Sequence, residues 1–337
     1  MRGSREHLEG AKLWYFLYVC DHHFSIAYGR PPVIQEDMTI TNHEKFLELA
    51  GINQGDVRLH SQVAVFIILT RVYNTFGPDI EEMILEADLM RLQHFNSALD
   101  MWRSNWIHRL APNMYVATYP AKGVDLHLYF GKLQVSSLSL RGIQKGMIYE
   151  LSPQRRDLAN TAINCATAIL QMALNDSDVR NSLVGVPIYL HTMIAYSAVF
   201  LLKARQRSDT YQLTADPILI LDLVNRIINL LLDARAGERH LSGHIATGLK
   251  KMMDRMISRE TSQKPGETQL HESTPDYLHN PDGQMWGGPN YFGIPDNGVL
   301  RMFDESALFS NENFFPLGFF DAMPATHADM DYRPRDV

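Results

Sequence analysis

Apolar residues recur near the start of the chain at Leu13, Leu17, Cys20, Phe24 and Ala27, separated by four, three, four and three positions. That is the repeat of one helix face, and it predicts a helix over residues 8–28. Ser4 stands where an N-cap would sit, with Glu6 favoured by the dipole in the first turn. Gly29, Arg30, Pro31 and Pro32 end the helix, because glycine accepts the left-handed cap conformation and proline cannot continue a helix. Further helical patterns run over 42–50, 56–76, 79–109, 124–140, 153–175, 186–206, 216–235 and 238–258. Pro78 and Asp79 mark the start of the fourth helix, and Ser152-Pro153 and Asp216-Pro217 read as cap and first-turn pairs. Pro112 to Gly123 reads as a loop. No stretch alternates with period two, so residues 1–258 are expected to form an all-α, multi-helix body.

The periodicity stops after Arg259. Lys264, Pro265, Gly266, Pro275, Pro281, Gly283, Gly287, Gly288, Pro289, Gly293 and Pro295 interrupt the chain too often for packed elements, which predicts a largely disordered tail over 259–337. Its composition is nevertheless distinctive. Of 337 residues, the last 67 hold 11 of the 33 aromatic side chains, among them Phe314, Phe315, Phe319 and Phe320. The same 67 residues carry 11 acidic side chains, 3 arginines and no lysine. Since the chain as a whole has a net charge of −7, residues 1–270 sum to about +1. A near-neutral body and an acidic tail do not offer the basic face that binding to a phosphate backbone requires.

Two cysteines, Cys20 and Cys165, cannot build a disulfide framework and read as two buried thiols in a reducing compartment. No charged and then apolar leader opens the chain. The longest apolar stretch, Val186 to Leu202, is 17 residues long and contains His191, Thr192, Tyr196 and Ser197, so it fits a buried helix better than a bilayer span. No membrane role is expected.

Catalytic signatures are missing: there is no nucleophile elbow, P-loop, dinucleotide loop or H-E-x-x-H pair. His240 and His244, four apart, could face one metal on a helix with Glu238 or Asp254, but 14 histidines in the chain produce such pairs by chance, and a polar helix face accounts for them. The chain is expected to be no enzyme and to need no cofactor. His22 and His23 follow Asp21 late in the first helix. Adjacent helical side chains diverge, so the two imidazoles are expected to stabilise the helix C-terminus as cations. Asp21 lies beside the apolar face with Trp14, Tyr18 and Ser25 and needs a partner, for which Arg30 is nearest. Lys203, Arg205 and Arg207 read as a solvated last turn after Leu202; Lys250, Lys251 and Arg255 form a second basic cluster, and either is a weak nuclear-import candidate.

The first helix carries more than periodicity. Its aromatic run from Trp14 to Tyr18, then Asp21, Ser25 and Gly29-Arg30-Pro31-Pro32, resembles the signature of the fungal-specific transcription factor domain, the middle homology region of fungal zinc-cluster regulators. The stretch Val124 to Gly142 looks like a later helix of that domain, as does Val186 to Lys203, so the resemblance covers about residues 8–258.

The resemblance implies a nuclear regulator of RNA polymerase II transcription whose helical body is a regulatory and interaction module. It also implies a C-terminal activation segment that recruits coactivators, and the tail fits, because acidic residues keep aromatic side chains solvated and available to a groove. Family members carry six cysteines that hold two zinc ions; two cysteines cannot do this. DNA contact is therefore expected only through a further region or through a homo- or heterodimeric zinc-cluster partner. The sequence leaves open a truncated zinc-cluster activator, a non-DNA-binding partner or competitor of a full-length relative, and a helical metal-dependent enzyme. With its upstream helices missing, the first helix is expected to expose apolar surface at Trp14, Tyr15 and Tyr18.

Overall fold

The structure, a computed structural model, describes residues 2–262 apart from 29–30, 78, 80–81, 113, 144–149, 187 and 238–239. The described elements are ten α-helices joined by short 3-10 turns, with no β-strand among the described residues. The chain is all α, as the periodicity implies.

Helix α1 (Arg2–Tyr28) begins upstream of residue 8, so Ser4 lies within it and is no cap. The predicted helix 42–50 is instead α2 (Met38–Thr41) and a 3-10 turn at His43–Glu48. The Asn42 amide donates back to the Met38 carbonyl at 2.9 Å and closes α2 early. Helix α3 (Gln54–Phe76) opens with a capping box: Asn53 accepts from the Gly55 and Asp56 amides while the Asp56 carboxylate accepts from the Asn53 amide. Gly77 ends it at φ +67°, a conformation that favours glycine.

The largest correction concerns α4 (Leu89–Trp106), which starts ten residues after the predicted position. The segment before it is held in a loop by two buried arginines that take its carbonyls. Arg141 donates to Phe76, Gly77 and Glu82, and Arg155 donates to Ile84 and to the Glu86 carboxylate. These tertiary bonds outweigh local helix propensity.

Helix α5 (Tyr119–Ser137) takes in part of the predicted loop, with Pro120 in its first turn, where a missing N–H costs nothing. Helix α6 (Pro153–Asn175) matches its predicted limits, and Ser152 accepts from the Arg155 amide at its start. A short α7 (Ser177–Ser182), capped by Asp176, has no counterpart in the apolar periodicity. Helix α8 extends over Ile188–Tyr211. Lys203, Arg205 and Arg207 therefore lie within it and are no solvated end: Arg205 donates to Pro217, Arg207 donates to Ile143, and burial pushes Lys203 down to about 8. Helix α9 (Pro217–Asp233) is capped by Asp216 and buries Ile220, Leu223, Val224, Ile227, Ile228 and Leu231, a clean 3.6-residue stripe. Helix α10 (Leu241–Ser262) packs on α8 and α9.

Helices α5, α6 and α8 form the centre, with α4 on α5, α9 on α6, and α1 against α3 and α8. Gly131 permits the close approach of α4 to α5, since a Cβ there would meet both Leu99 methyl groups at 3.2 Å. No described helix is long and apolar enough to cross a membrane. Cys165 is buried, which pushes its thiol up to about 11, while Cys20 is only half-buried.

Candidate functional site

The residues that carry the sequence signature gather where α1 turns back toward α2. Asp21 Oδ2 accepts the backbone N–H groups of Val33 and Ile34, both at 2.8 Å, and so clamps the bend beyond Pro31 and Pro32 onto α1. A carboxylate suits this role because one oxygen takes two amide donors with charge assistance. Ser25 donates to the Asp21 carbonyl at 2.8 Å, which satisfies its hydroxyl inside the helix. The expected Asp21–Arg30 pair falls outside the described residues, as does Gly29. Trp14 is half-buried against the core.

Tyr15 and Tyr18 are buried, contrary to the exposed face expected for them. Tyr15 donates to the Thr39 carbonyl and packs on His60 and Phe46; Tyr18 donates to Glu36. The opposite stripe is the exposed one, with Leu13 57%, Phe16 54%, Leu17 45% and Phe24 49% accessible. The apolar repeat at 13, 17, 20 and 24 therefore marks the more exposed face and not the core face of α1. Both stripes have helical spacing, and only the tyrosines need acceptors for their hydroxyls, which the chain after α1 supplies.

The histidines are likewise not surface cations. His22 Nδ1 donates to the Tyr18 carbonyl at 2.8 Å and its Nε2 meets the Thr70 hydroxyl at 3.1 Å. Burial lowers the pKa of His22 and holds His23 well below its ordinary value. A second buried pair, His43 and His60, approaches through Nδ1 atoms 3.2 Å apart beside Phe46 and Trp106. One of these two nitrogens must keep its lone pair, so the two rings are not both cations. Burial, and then His43, push His60 down to about 4. No local pattern marks this pair, whose members are 17 residues apart and on different elements.

His240 precedes α10 and does not share a helix face with His244. Its Nδ1 meets the Ser242 hydroxyl at 2.6 Å. Among the described residues no group of three or more His, Cys, Asp or Glu is placed to hold a metal ion. Phe314, Phe315, Phe319 and Phe320 lie outside the described residues.

The motif residues of α1 and the arginine-anchored loop before α4 belong to one continuous body, and comparison with known proteins gives that body a family. The family described as the middle domain of the transcriptional activator of proteases prtT matches residues 1–256. The chain belongs to this family. A transcriptional activator of proteases prtT from Emericella nidulans is 49% identical over 269 residues, which is 78% of this chain and 41% of the relative. The chain thus spans less than half the length of that protein. No solved structure matches. The prtT-like middle domain ends within α10, so α1 to α9 and the larger part of α10 fall inside the family match.

Proposed function

We propose that this chain is a nuclear regulator of transcription, in which the prtT-like helical body is the regulatory and interaction module and residues 259–337 recruit coactivators. The observation that carries this reading is the family match over residues 1–256 together with 49% identity to a protein described as a transcriptional activator. The tail supports it through its 11 acidic side chains interleaved with aromatic ones in 67 residues. Such a segment keeps large rings in water until a groove on a partner takes them. With two cysteines in the chain, DNA is reached through a further region or through a zinc-cluster partner.

A reporter assay tests the reading. Residues 260–337 fused to a foreign DNA-binding domain are expected to activate transcription, and replacing Phe314, Phe315, Phe319 and Phe320 by alanine removes most of that activity. A silent fusion would count against activation by the tail. The chain carrying a fluorescent tag is expected in the nucleus.

The second reading, a partner or competitor that does not bind DNA itself, rests on the cysteine count. Co-expression with a full-length relative separates the two, because a competitor lowers the relative's reporter output where an activator raises it.

A further inference from the structure

Residues 33–49 return across α1 and α3 as a strap. Tyr18 holds it through Glu36 at 3.3 Å and Tyr15 through the Thr39 carbonyl at 3.2 Å, while Ile40 and Phe46 bury their side chains in the core. Its secondary structure is the four-residue α2 and the 3-10 turn at His43–Glu48, too short to persist without the packing beneath. Beyond the turn, Gly51 takes φ +87°, and nothing lies within 4 Å of the position a Cβ would occupy. Such a residue lets the strap swing while the capping box of α3 stays in place. The strap is a segment of low local stability, fastened from below.

One fastening is the buried contact between His43 of the strap and His60 of α3, with Nδ1 atoms 3.2 Å apart. Aromatic rings pack around it. Phe46 stacks on His60 at 5.0 Å between centroids, Tyr15 meets His60 at 4.3 Å, and Trp106 stacks on His43 at 6.1 Å. One Nδ1 donates and the other accepts, so a single proton lies between the two nitrogens. A second proton has no place in the closed strap. On the accepting Nδ1 it would set two N–H groups head to head and break the contact. The far edge of His60 offers nothing better, because its Nε2 is buried without a hydrogen-bond partner.

The charges around the pair do not rescue a cation. Asp56 lies one turn before His60 on α3, but its carboxylate is already taken by Lys12 of α1 at 3.1 Å and by the Asn53 amide at 2.9 Å. Glu44 favours a charged His43, and Asp56 and the His43 backbone favour a charged His60. Arg109, whose guanidinium lies 4.3 Å from the Trp106 ring, opposes charge on both. Burial outweighs these groups: it lowers the pKa of His43 and, together with His43, brings His60 down to about 4. Burial and then Asp37 raise the pKa of Tyr15, so its hydroxyl stays neutral. The geometry points to a pH-gated strap: a second proton on the His43–His60 pair releases residues 38–49, which swing about Gly51 and uncover the faces of Tyr15 and Trp106 that Phe46 and His43 now cover. A base whose pKa is lowered in the closed state holds the strap fully above about pH 6.5 and loses that hold as pH falls toward 4.

Hydrogen exchange of the full chain, read by mass spectrometry and corrected for the intrinsic pH dependence of amide exchange, tests the strap against α6 as an internal reference. From pH 7.5 to pH 5 His60 alone is expected to raise the open fraction of residues 38–49 about thirtyfold, the ratio set by a pKa of about 4 when closed and about 6.5 when open. The strap is expected to lose protection ahead of α6. His43→Leu with His60→Leu places apolar groups that take no proton among Tyr15, Phe46 and Trp106, and is expected to keep the strap closed while removing its separate pH dependence. Nitrogen-15 spectra of the histidine-labelled wild type need no variant: the His43 and His60 signals are expected to move to the charged form in step with exchange of the strap. The proposal is overturned if strap and α6 lose protection together at every pH, if the folded double variant keeps the wild-type slope, or if both histidines become charged while the strap stays protected.

Discussion

Arg155 is fully buried, with its Nε 2.7 Å from Oε1 of Glu86, a residue 69 positions earlier in the chain. The same guanidinium donates to the carbonyls of Ser139 and Ile84 at 2.7 and 2.6 Å, and Ser152 adds a hydroxyl to the second oxygen of Glu86. Three separate segments thus meet on one ion pair. The bonds to carbonyls matter most, because Glu86 is half-exposed and water can replace its partner.

Arg155→Ala is expected to lower stability by about 3 kcal/mol, since it leaves two buried carbonyls unpaired. Glu86→Gln is expected to cost about 1 kcal/mol. Arg155→Lys does not rescue, as an ammonium lacks the planar fork that spans these acceptors. Urea unfolding of the three variants gives the order, and an alanine variant as stable as Glu86→Gln would remove Arg155 from its anchoring role.

Asp21 holds the return of the chain after α1 through the amides of Val33 and Ile34. Asp21→Ala is expected to cost about 1–2 kcal/mol and to speed amide exchange at those two positions first. Unchanged exchange there would show that the clamp adds nothing. Asp21→Asn keeps one acceptor oxygen but loses the charge, and is expected to lie between the two.

Five histidines, His22, His23, His43, His60 and His127, are held below their ordinary pKa, in each case mainly by burial. For His60 and His127 the folded value is about 4, against about 6.5 unfolded. Between those limits the unfolded chain binds more protons, so stability is full above about pH 6.5 and falls as pH drops toward 4. A tenfold change in proton affinity corresponds to about 1.4 kcal/mol, and the two groups together account for a loss on the order of several kcal/mol. Urea midpoints measured from pH 7.5 to 4.5 are expected to decline across this window, with a shallower slope in His127→Leu. A flat profile would contradict the burial of neutral imidazoles.

The exposed stripe of α1 predicts an asymmetry between neighbouring positions. Phe16→Lys with Leu17→Glu is expected to leave the melting temperature unchanged, because both side chains already face solvent. Tyr18→Ala, one residue further on, is expected to cost about 3 kcal/mol as a buried aromatic truncation. A double variant that melts as early as Tyr18→Ala would place the stripe in the core.

Local sequence sets the helical class and many of the helix limits. Period, cap residues and proline positions act within a few residues of each other, which is why α6 and α9 are legible from Ser152-Pro153 and Asp216-Pro217. The family resemblance is legible for the same reason, since Asp21, Ser25 and the Gly-Arg-Pro turn stand close together in the chain. Which of two equally periodic stripes on α1 is buried is settled only by the packed fold, because it depends on Thr39, Glu36 and His60 arriving from other elements. So is the late start of α4, where Arg141 and Arg155 reach back across more than fifty residues to take carbonyls a helix would otherwise have used. The stacking of His23 and His127 on Tyr189 leaves no mark in the sequence, since the three rings come from different helices and their relation is one of packing alone.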